Sequence, residues 1–156
     1  MLQENVFFEL DGPQALFTEI QSAITEYHQE PNSRLFLFLV FGLNHLREWI
    51  AQRSYEDLNK KRKTNTPLTA NETFYFALWE IEEFRIINSL CNRSKHFSIK
   101  ADTHNTSIAK GFRCDSPCGD SLGQKYYLID GIDSRDIFAR VIREYYQWFS
   151  QQSEGS

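Results

Sequence analysis

Sulfur-containing residues are scarce in this chain of 156 residues, and this limits the class of protein it can be. Met1 is the single methionine. The three cysteines, Cys91, Cys114 and Cys118, are an odd number without the regular spacing of a disulfide framework. Small secreted domains depend on such frameworks, whereas reduced cysteines are typical of the cytoplasm. The cysteine content therefore predicts a cytoplasmic protein.

Long hydrophobic runs are also lacking. The most apolar stretch, residues 35–43, has nine residues, whereas a transmembrane helix needs about 20. Residues 1–12 show no basic start, apolar centre or small-residue cleavage site of a secretory signal. We therefore expect no membrane association, and we interpret residues 35–43 as part of a core helix that is buried on all sides.

The motifs that mark several enzyme classes do not occur. There is no glycine-rich phosphate loop, no G-x-S-x-G and no H-E-x-x-H, so we expect no cofactor. Cys114 and Cys118 have a spacing found in zinc sites, but such a site needs a second matched pair of ligands, so we predict no metal. With 17 basic and 21 acidic residues the net charge is −4, which argues against a protein that binds duplex DNA.

Aromatic residues, by contrast, are abundant. The chain has 13 Phe, 7 Tyr and 3 Trp. Large rings without methionine as a filler predict a rigid core. The length is typical of one domain, which we place at residues 1–150, followed by a flexible tail over residues 151–156.

Hydrophobic periodicity predicts four helices. The first follows Asp11-Gly12-Pro13, and the second covers residues 34–53. Residues 54–68, with a basic cluster at 60–63, are interpreted as a mobile connection. Thr69 to Glu72 has the form of a capping box that opens a third helix over residues 70–95.

The sequence after the third helix changes to an alternating pattern. Residues 97–100 and 125–129 predict two strands, joined by a long tip over residues 102–124. Ser134 caps the last helix. The predicted fold class is therefore mainly α: a four-helix bundle-like domain with a β-hairpin inserted before the last helix.

Three polar residues recur on one face of the predicted third helix. Asn92 and His96 are four residues apart, and Arg85 lies eleven residues before His96, in register at 3.6 residues per turn. They form either a catalytic set, in which His96 moves protons and Arg85 or Arg93 supplies a cation, or a buried polar network. The candidate binding residues in these helices are Lys95, His45 and Trp49.

Two short segments resemble motifs of a group of uncharacterised small bacterial helical proteins. They are His45-Leu46-Arg47-Glu48-Trp49 and Asn92-Arg93-Ser94-Lys95-His96, and the similarity covers about residues 35–150. More distantly, the arrangement is similar to the HEPN superfamily, in which many members are metal-independent ribonucleases of toxin–antitoxin and phage-defence systems. Its signature is an Arg followed a few residues later by a His, and here Cys91 stands at the Arg position before His96. The resemblance implies RNA cleavage with His96 as general acid and base.

The sequence leaves two functions open. The first is a non-catalytic protein that binds a protein partner or a second copy of itself as a dimer, in a mobile-element or phage-defence context. The aromatic-rich composition and the incomplete signature favour it. The second is a HEPN-like ribonuclease with RNA as its substrate. Phe112 and Arg113, an aromatic and cationic pair in the predicted tip, are further candidates for partner contact.

Overall fold

The computed structural model of the chain describes residues 8–96, 104–111 and 117–155, and it describes His96 by its backbone alone. Within these residues the fold is mainly helical, with a small antiparallel sheet before the last helix, and this part of the prediction is confirmed. The elements in chain order are α1 (Pro13–Gln29), α2 (Ser33–Ala51), α3 (Tyr55–Lys63), α4 (Ala70–Ala77), a 3-10 turn (Leu78–Glu80), α5 (Glu82–His96), β1 (Thr106–Lys110), β2 (Lys125–Ile129), β3 (Ile132–Asp133) and α6 (Ser134–Glu154).

Signals in the sequence account for several helix starts. Pro13 occupies the first turn of α1, and the side chain of Asn32 accepts a hydrogen bond from the Leu35 N–H at the start of α2 (3.0 Å). The predicted capping box opens α4. The Glu72 N–H donates to Thr69 Oγ1 (3.2 Å), and the Thr69 N–H donates to Glu72 Oε2 (2.9 Å). These predicted starts are confirmed.

The single long helix predicted over residues 70–95 is wrong, because the structure divides it in two. α4 ends at Ala77, the 3-10 turn follows, and Ile81 is extended (φ −90°, ψ 120°) before α5 begins. A guanidinium N–H of Arg85 donates to the carbonyl oxygen of Trp79 (2.8 Å). This bond satisfies one of the acceptors that a helix end leaves without an intrahelical partner.

Residues 55–63 form α3, a helix that the prediction of a mobile connection over residues 54–68 did not include. Ser54 Oγ accepts a hydrogen bond from the Asp57 N–H (3.2 Å). Acidic residues occupy the first turn and the basic cluster 60–63 occupies the last, the favourable signs for a helix dipole. Leu58 is fully buried, and Lys61 Nζ lies 2.7 Å from Glu72 Oε1 of α4. With α3 and the division of the third helix, the described residues contain six α-helices where four were predicted.

The sheet has the strand order β1-β2-β3, with both pairs antiparallel. The predicted strand at 125–129 is confirmed as β2. Its main partner is β1, with Thr106 opposite Ile129 and Lys110 opposite Lys125. β1 lies inside the segment predicted as an irregular tip, so that prediction is wrong for residues 106–110. The strand predicted at 97–100 lies outside the described residues. The cap predicted at Ser134 is wrong by one residue, because Asp133 Oδ1 accepts the hydrogen bond from the Arg135 N–H (2.9 Å) and Ser134 begins α6. α6 continues through Glu154 into the predicted tail.

The apolar run 35–43 lies in α2, but its helix is not buried on all sides. Leu37 and Phe38 keep 41% and 39% of their surface exposed. The prediction of complete burial is therefore wrong for this run. Among the described residues, no helix combines the length and the apolar character needed to cross a lipid bilayer.

Two hydrophobic clusters hold the fold together. The main cluster joins α1, α2, α5 and α6, and each of these helices packs against two or more of the others. Its largest fully buried side chains are aromatic, as predicted; examples are Phe17, Tyr27, Phe84, Phe138 and Tyr145. A satellite cluster contains Ala51, Leu58 and Tyr75, with Phe76 packed against it, and it joins α3 and α4 to the end of α2.

Arg135, at the start of α6, is the centre of a buried ionic network, which we call the Arg135 network. Its two terminal nitrogens donate to the two carboxylate oxygens of Asp120 at 2.9 and 2.8 Å, and it also donates to Asp133. Tyr126 donates to Asp120 at 3.0 Å. The network fastens the segment before β2 to the start of the last helix, because Arg135 of α6 holds both carboxylate oxygens of Asp120.

Candidate functional site

An open cleft of about 560 Å³ lies where α2, α3, α4, the 3-10 turn and α5 meet. Its volume is within the range of ligand pockets. Amide, aromatic and charged side chains line it: Asn44, His45, Arg47, Glu48, Tyr55, Arg62, Tyr75, Phe76, Trp79, Glu80, Asn88, Asn92 and Lys95. Asn44, Arg47 and Tyr75 are each more than nine-tenths buried, and we call these three residues the floor of the cleft.

A row of three asparagines crosses the cleft from α2 to α5. Asn88 Nδ2 donates to Asn44 Oδ1 (2.8 Å), and Asn92 Nδ2 donates to Asn88 Oδ1 (3.3 Å). Asn88 and Asn92 are one helical turn apart, so both amides lie on the same face of α5. The row fixes the orientation of each amide group and gives the cleft a neutral polar wall.

His45, the residue after Asn44 on α2, is held by contacts at both ring nitrogens. Nε2 lies 3.9 Å from Cys91 Sγ, and Nδ1 lies 3.4 Å from Glu48 Oε2. The contact with Cys91, and then the contact with Glu48, raises the pKa of His45 to about 9. The same pairing lowers the pKa of Glu48. At neutral pH His45 therefore adds a positive charge to the cleft.

We expect a nuclear magnetic resonance titration to show that His45 deprotonates at about pH 9. The same titration should show that His28 deprotonates at a pH below the ordinary pKa of histidine, because burial lowers its pKa. Because the His45 pKa is raised on folding, its contacts stabilise the fold fully below about pH 6.5, and this stabilisation is lost as the pH rises through about 9. Glu48→Gln should lower the His45 midpoint. Glu80→Gln, which changes the other carboxylate of the cleft, should leave it unchanged. A His45 midpoint at or below that of a free histidine would contradict the prediction.

Arg47 is a cation that is 7% exposed. Its Cζ lies 4.1 Å from the ring centre of Tyr75, 4.6 Å from that of Phe84 and 5.9 Å from that of Trp79. No described carboxylate forms an ion pair with it, and its Nε has no hydrogen-bond partner among the described residues. A buried donor without a partner costs about 1–3 kcal/mol, so this arrangement is energetically unfavourable by itself.

Tyr75, which lies against Arg47, also has a buried polar group without a hydrogen-bond partner in the described part of the chain. Its side chain is 1% exposed, and its hydroxyl oxygen has no hydrogen-bond partner among the described residues. Burial raises its pKa, so the hydroxyl keeps its proton at physiological pH. A neutral, buried phenol therefore lies next to the Arg47 cation.

The rim of the cleft carries further charges. Arg62 and Lys95 are positive, and Glu48 and Glu80 are negative. With Arg47 and protonated His45, the lining has four positive and two negative side chains, in a chain whose net charge is −4. The cleft is thus a positive region on a negative protein, and its field favours anions.

The structure brings together three of the residues that the sequence analysis selected. Asn92 and Lys95 from the end of α5 line the cleft, and His45 lines it from α2. They come from the two segments on which the resemblance depends. Their roles in catalysis or binding remain predictions.

Other predicted site residues lie elsewhere. The Arg85 guanidinium donates to the backbone carbonyl oxygen of Trp79. Arg93 donates to the carbonyl oxygen of His104 (3.0 Å), and Trp49 packs against the main cluster. Arg85 therefore does not line the cleft with Asn92. The His96 side chain, Phe112 and Arg113 lie outside them.

No group of three or more His, Cys, Asp or Glu side chains in the described residues is placed to hold a metal ion. Cys118 is exposed, and Cys114 lies outside the described residues. The Cys114–Cys118 pair therefore contributes no described metal centre.

Sequence reasoning missed the floor of the cleft. Arg47 was visible inside the His45-to-Trp49 segment, but an arginine in an amphipathic helix normally extends to solvent. Its burial depends on Tyr75 and Phe84, which come from later helices. No local signal in the sequence reports that contact.

Comparison with known proteins adds no relative to this description. No protein-family model, no curated protein and no solved structure matches the chain, so the cleft is interpreted from its own geometry.

Proposed function

We propose that this protein acts by binding a protein partner in the cleft, on a scaffold formed by a four-helix bundle-like core. The observation that carries the proposal is the lining of the cleft. Tyr55 and Trp79 are exposed at its rim, while Arg47 is buried at its floor. Tyrosine, tryptophan and arginine are the side chains that dominate the binding energy of protein interfaces.

The surroundings of the cleft also support partner binding. Asparagine amides supply neutral hydrogen-bonding groups, and the aromatic rim supplies apolar area with little side-chain entropy to lose. Cys91, the thiol beside His45, is fully buried and therefore does not offer a nucleophile to the cleft.

The proposal is tested by selecting peptides from a random phage-displayed library on the intact protein. Selected peptides should lose at least about tenfold in affinity for Trp79→Ala, because an interface tryptophan that acts as a hot spot contributes about 2 kcal/mol or more. Tyr146→Ala is the matched control. Tyr146 is a comparably exposed aromatic residue (58%) on α6, outside the cleft, and its loss should leave the affinity unchanged.

Two results would contradict the proposal. One is a selection that yields no peptide sensitive to Trp79→Ala. The other is cleavage of a fluorophore-labelled RNA by the wild-type protein that His96→Ala abolishes. The second candidate function is a ribonuclease with His96 as general acid and base. It is supported by Asn92 and Lys95 of the same segment, which line a positively charged cleft.

A further inference from the structure

One side of α2 faces solvent along most of the helix. Spacings of three and four residues place its side chains in a line. We call this line the α2 stripe, and its members are Arg34, Leu37, Phe38, Phe41, His45 and Glu48. All six are exposed or partly exposed, whereas Leu39, Leu43 and Leu46 on the opposite side of the helix are fully buried.

The first half of the α2 stripe is apolar. Leu37 and Phe38 keep 41% and 39% of their surface exposed. Phe41, the next residue along the stripe, is half-buried, and its ring stacks on that of His45 with 6.4 Å between the ring centres. The solvent-facing side of a helix in a globular protein is normally polar. Three large apolar side chains that adjoin on this side therefore indicate a surface that another molecule covers.

The two ends of the α2 stripe carry opposite charges. Arg34 is positive and forms no ion pair with a described carboxylate. Glu48 is negative, and it lies fourteen residues further along the helix, at a distance of about 21 Å. The two side chains therefore cannot pair within one chain. Phe41 lies midway between them, seven residues from each.

This symmetry makes the α2 stripe complementary to itself. When two copies of the stripe lie antiparallel, Arg34 of each copy faces Glu48 of the other, and Phe41 faces Phe41. His45 already contacts Glu48 through Oε2 at 3.4 Å, which leaves Oε1 for Arg34 of the second copy. A parallel arrangement would instead place like charges opposite each other at both ends, which is unfavourable.

We propose that the α2 stripe is the docking surface for a second copy of this chain, with the two α2 helices packed antiparallel about a two-fold axis at Phe41. Such an interface uses the same surface on both subunits. His45 and Glu48 also line the cleft. One cleft therefore lies at each end of the paired helices, and Arg34 of the second copy adds a positive charge to its rim.

Analytical ultracentrifugation of the intact protein over a range of concentrations tests the proposal. We expect the wild type to dimerise, and Arg34→Glu to weaken the dimer at least about tenfold, because it places two carboxylates opposite each other. Arg143→Glu, the same charge reversal at an exposed position on α6, should leave dimerisation unchanged. The double variant Arg34→Glu/Glu48→Arg should restore the dimer, because the reversed charges are complementary only between antiparallel copies.

Phe38→Ser tests the apolar half of the α2 stripe in the same measurement. It should weaken the dimer at least about tenfold, whereas Tyr146→Ser, which removes a more exposed ring from α6 (58%), should not. Far-ultraviolet circular dichroism checks that each variant is folded.

Three results would overturn the proposal. They are a wild type that stays monomeric at millimolar concentration, a dimer that Arg34→Glu and Phe38→Ser leave intact, and a double variant that dimerises no better than Arg34→Glu. Trp79→Ala, which tests peptide binding in the cleft, should leave dimerisation unchanged. Each of the two proposals can therefore fail without the other.

Discussion

Replacing Arg135 with methionine is expected to lower the free energy of unfolding by about 3 kcal/mol, because it leaves the Asp120 and Asp133 carboxylates without their cation. Asp120 is 7% exposed and receives two parallel bonds from the guanidinium. Asp133 keeps 20% of its side chain exposed, which places the loss at the lower end of the range for buried pairs. Urea denaturation of the variant and the wild type measures the difference.

The Arg135 variants also have a predictable pH dependence. Hydrogen bonds from Arg135 hold the pKa of Asp120 below its usual value. The pair therefore stabilises the fold above about pH 4, the range in which the unfolded carboxyl is ionised, and this stabilisation is lost as the pH falls through the lower folded pKa. The difference in the free energy of unfolding between Arg135→Met and the wild type should therefore become smaller in acid.

Two control variants make the Arg135 prediction specific. Arg135→Lys keeps the positive charge but cannot make the two parallel hydrogen bonds of a guanidinium. Its free energy of unfolding should lie between those of the wild type and Arg135→Met. Arg143→Met, at an exposed position on the same helix, should change stability by less than about 0.5 kcal/mol. If Arg135→Met and Arg143→Met are equally stable, the network does not stabilise the fold.

Phe138→Ala is expected to cost about 3–5 kcal/mol, the usual loss for a fully buried phenylalanine. The ring is 0% exposed, and its centre lies 5.7 Å from that of Tyr27 on α1 and 5.6 Å from that of Phe36 on α2. Its removal opens a cavity between three helices that are fixed by other contacts. The measurement is the unfolding free energy from urea denaturation.

Tyr146→Ala is the control for this prediction, since it removes an aromatic ring of similar size from the exposed face of α6. It should change stability by less than about 0.5 kcal/mol. Similar losses in the two variants would show that helix propensity, rather than the buried ring, determines the effect.

Local signals explain which parts of the fold the sequence predicts. Pro13, the Thr69–Glu72 capping box and the periodicity of α6 act within a few residues, so they can be identified without the structure. The start of α3 has the same kind of signal, with Ser54 three residues before Asp57 and the basic cluster at the other end. That helix was predictable from its caps and was missed because its interior is almost entirely polar.

The division of the third helix had no such signal. Residues 77–82 contain neither glycine nor proline, and the division is stabilised by a contact from Arg85 to the Trp79 carbonyl. The cleft shows the same limit. Helical spacing indicated that Asn92 was a candidate, whereas the burial of Arg47 against Tyr75 and Phe84 arises only when separate helices pack together.

The walls of the cleft belong to two different hydrophobic clusters. α2 and α5 are part of the main cluster, whereas α3 and the Tyr75 side of α4 are joined through the satellite cluster around Leu58. A small unit opens at a lower free energy than the whole domain. We therefore expect the α3 side of the cleft to open in an equilibrium of its own, which a calorimetric transition of the entire chain would not report. Substitutions near Leu58 can therefore change how readily a ligand enters, while the melting temperature stays determined by rings such as Phe138 in the other cluster.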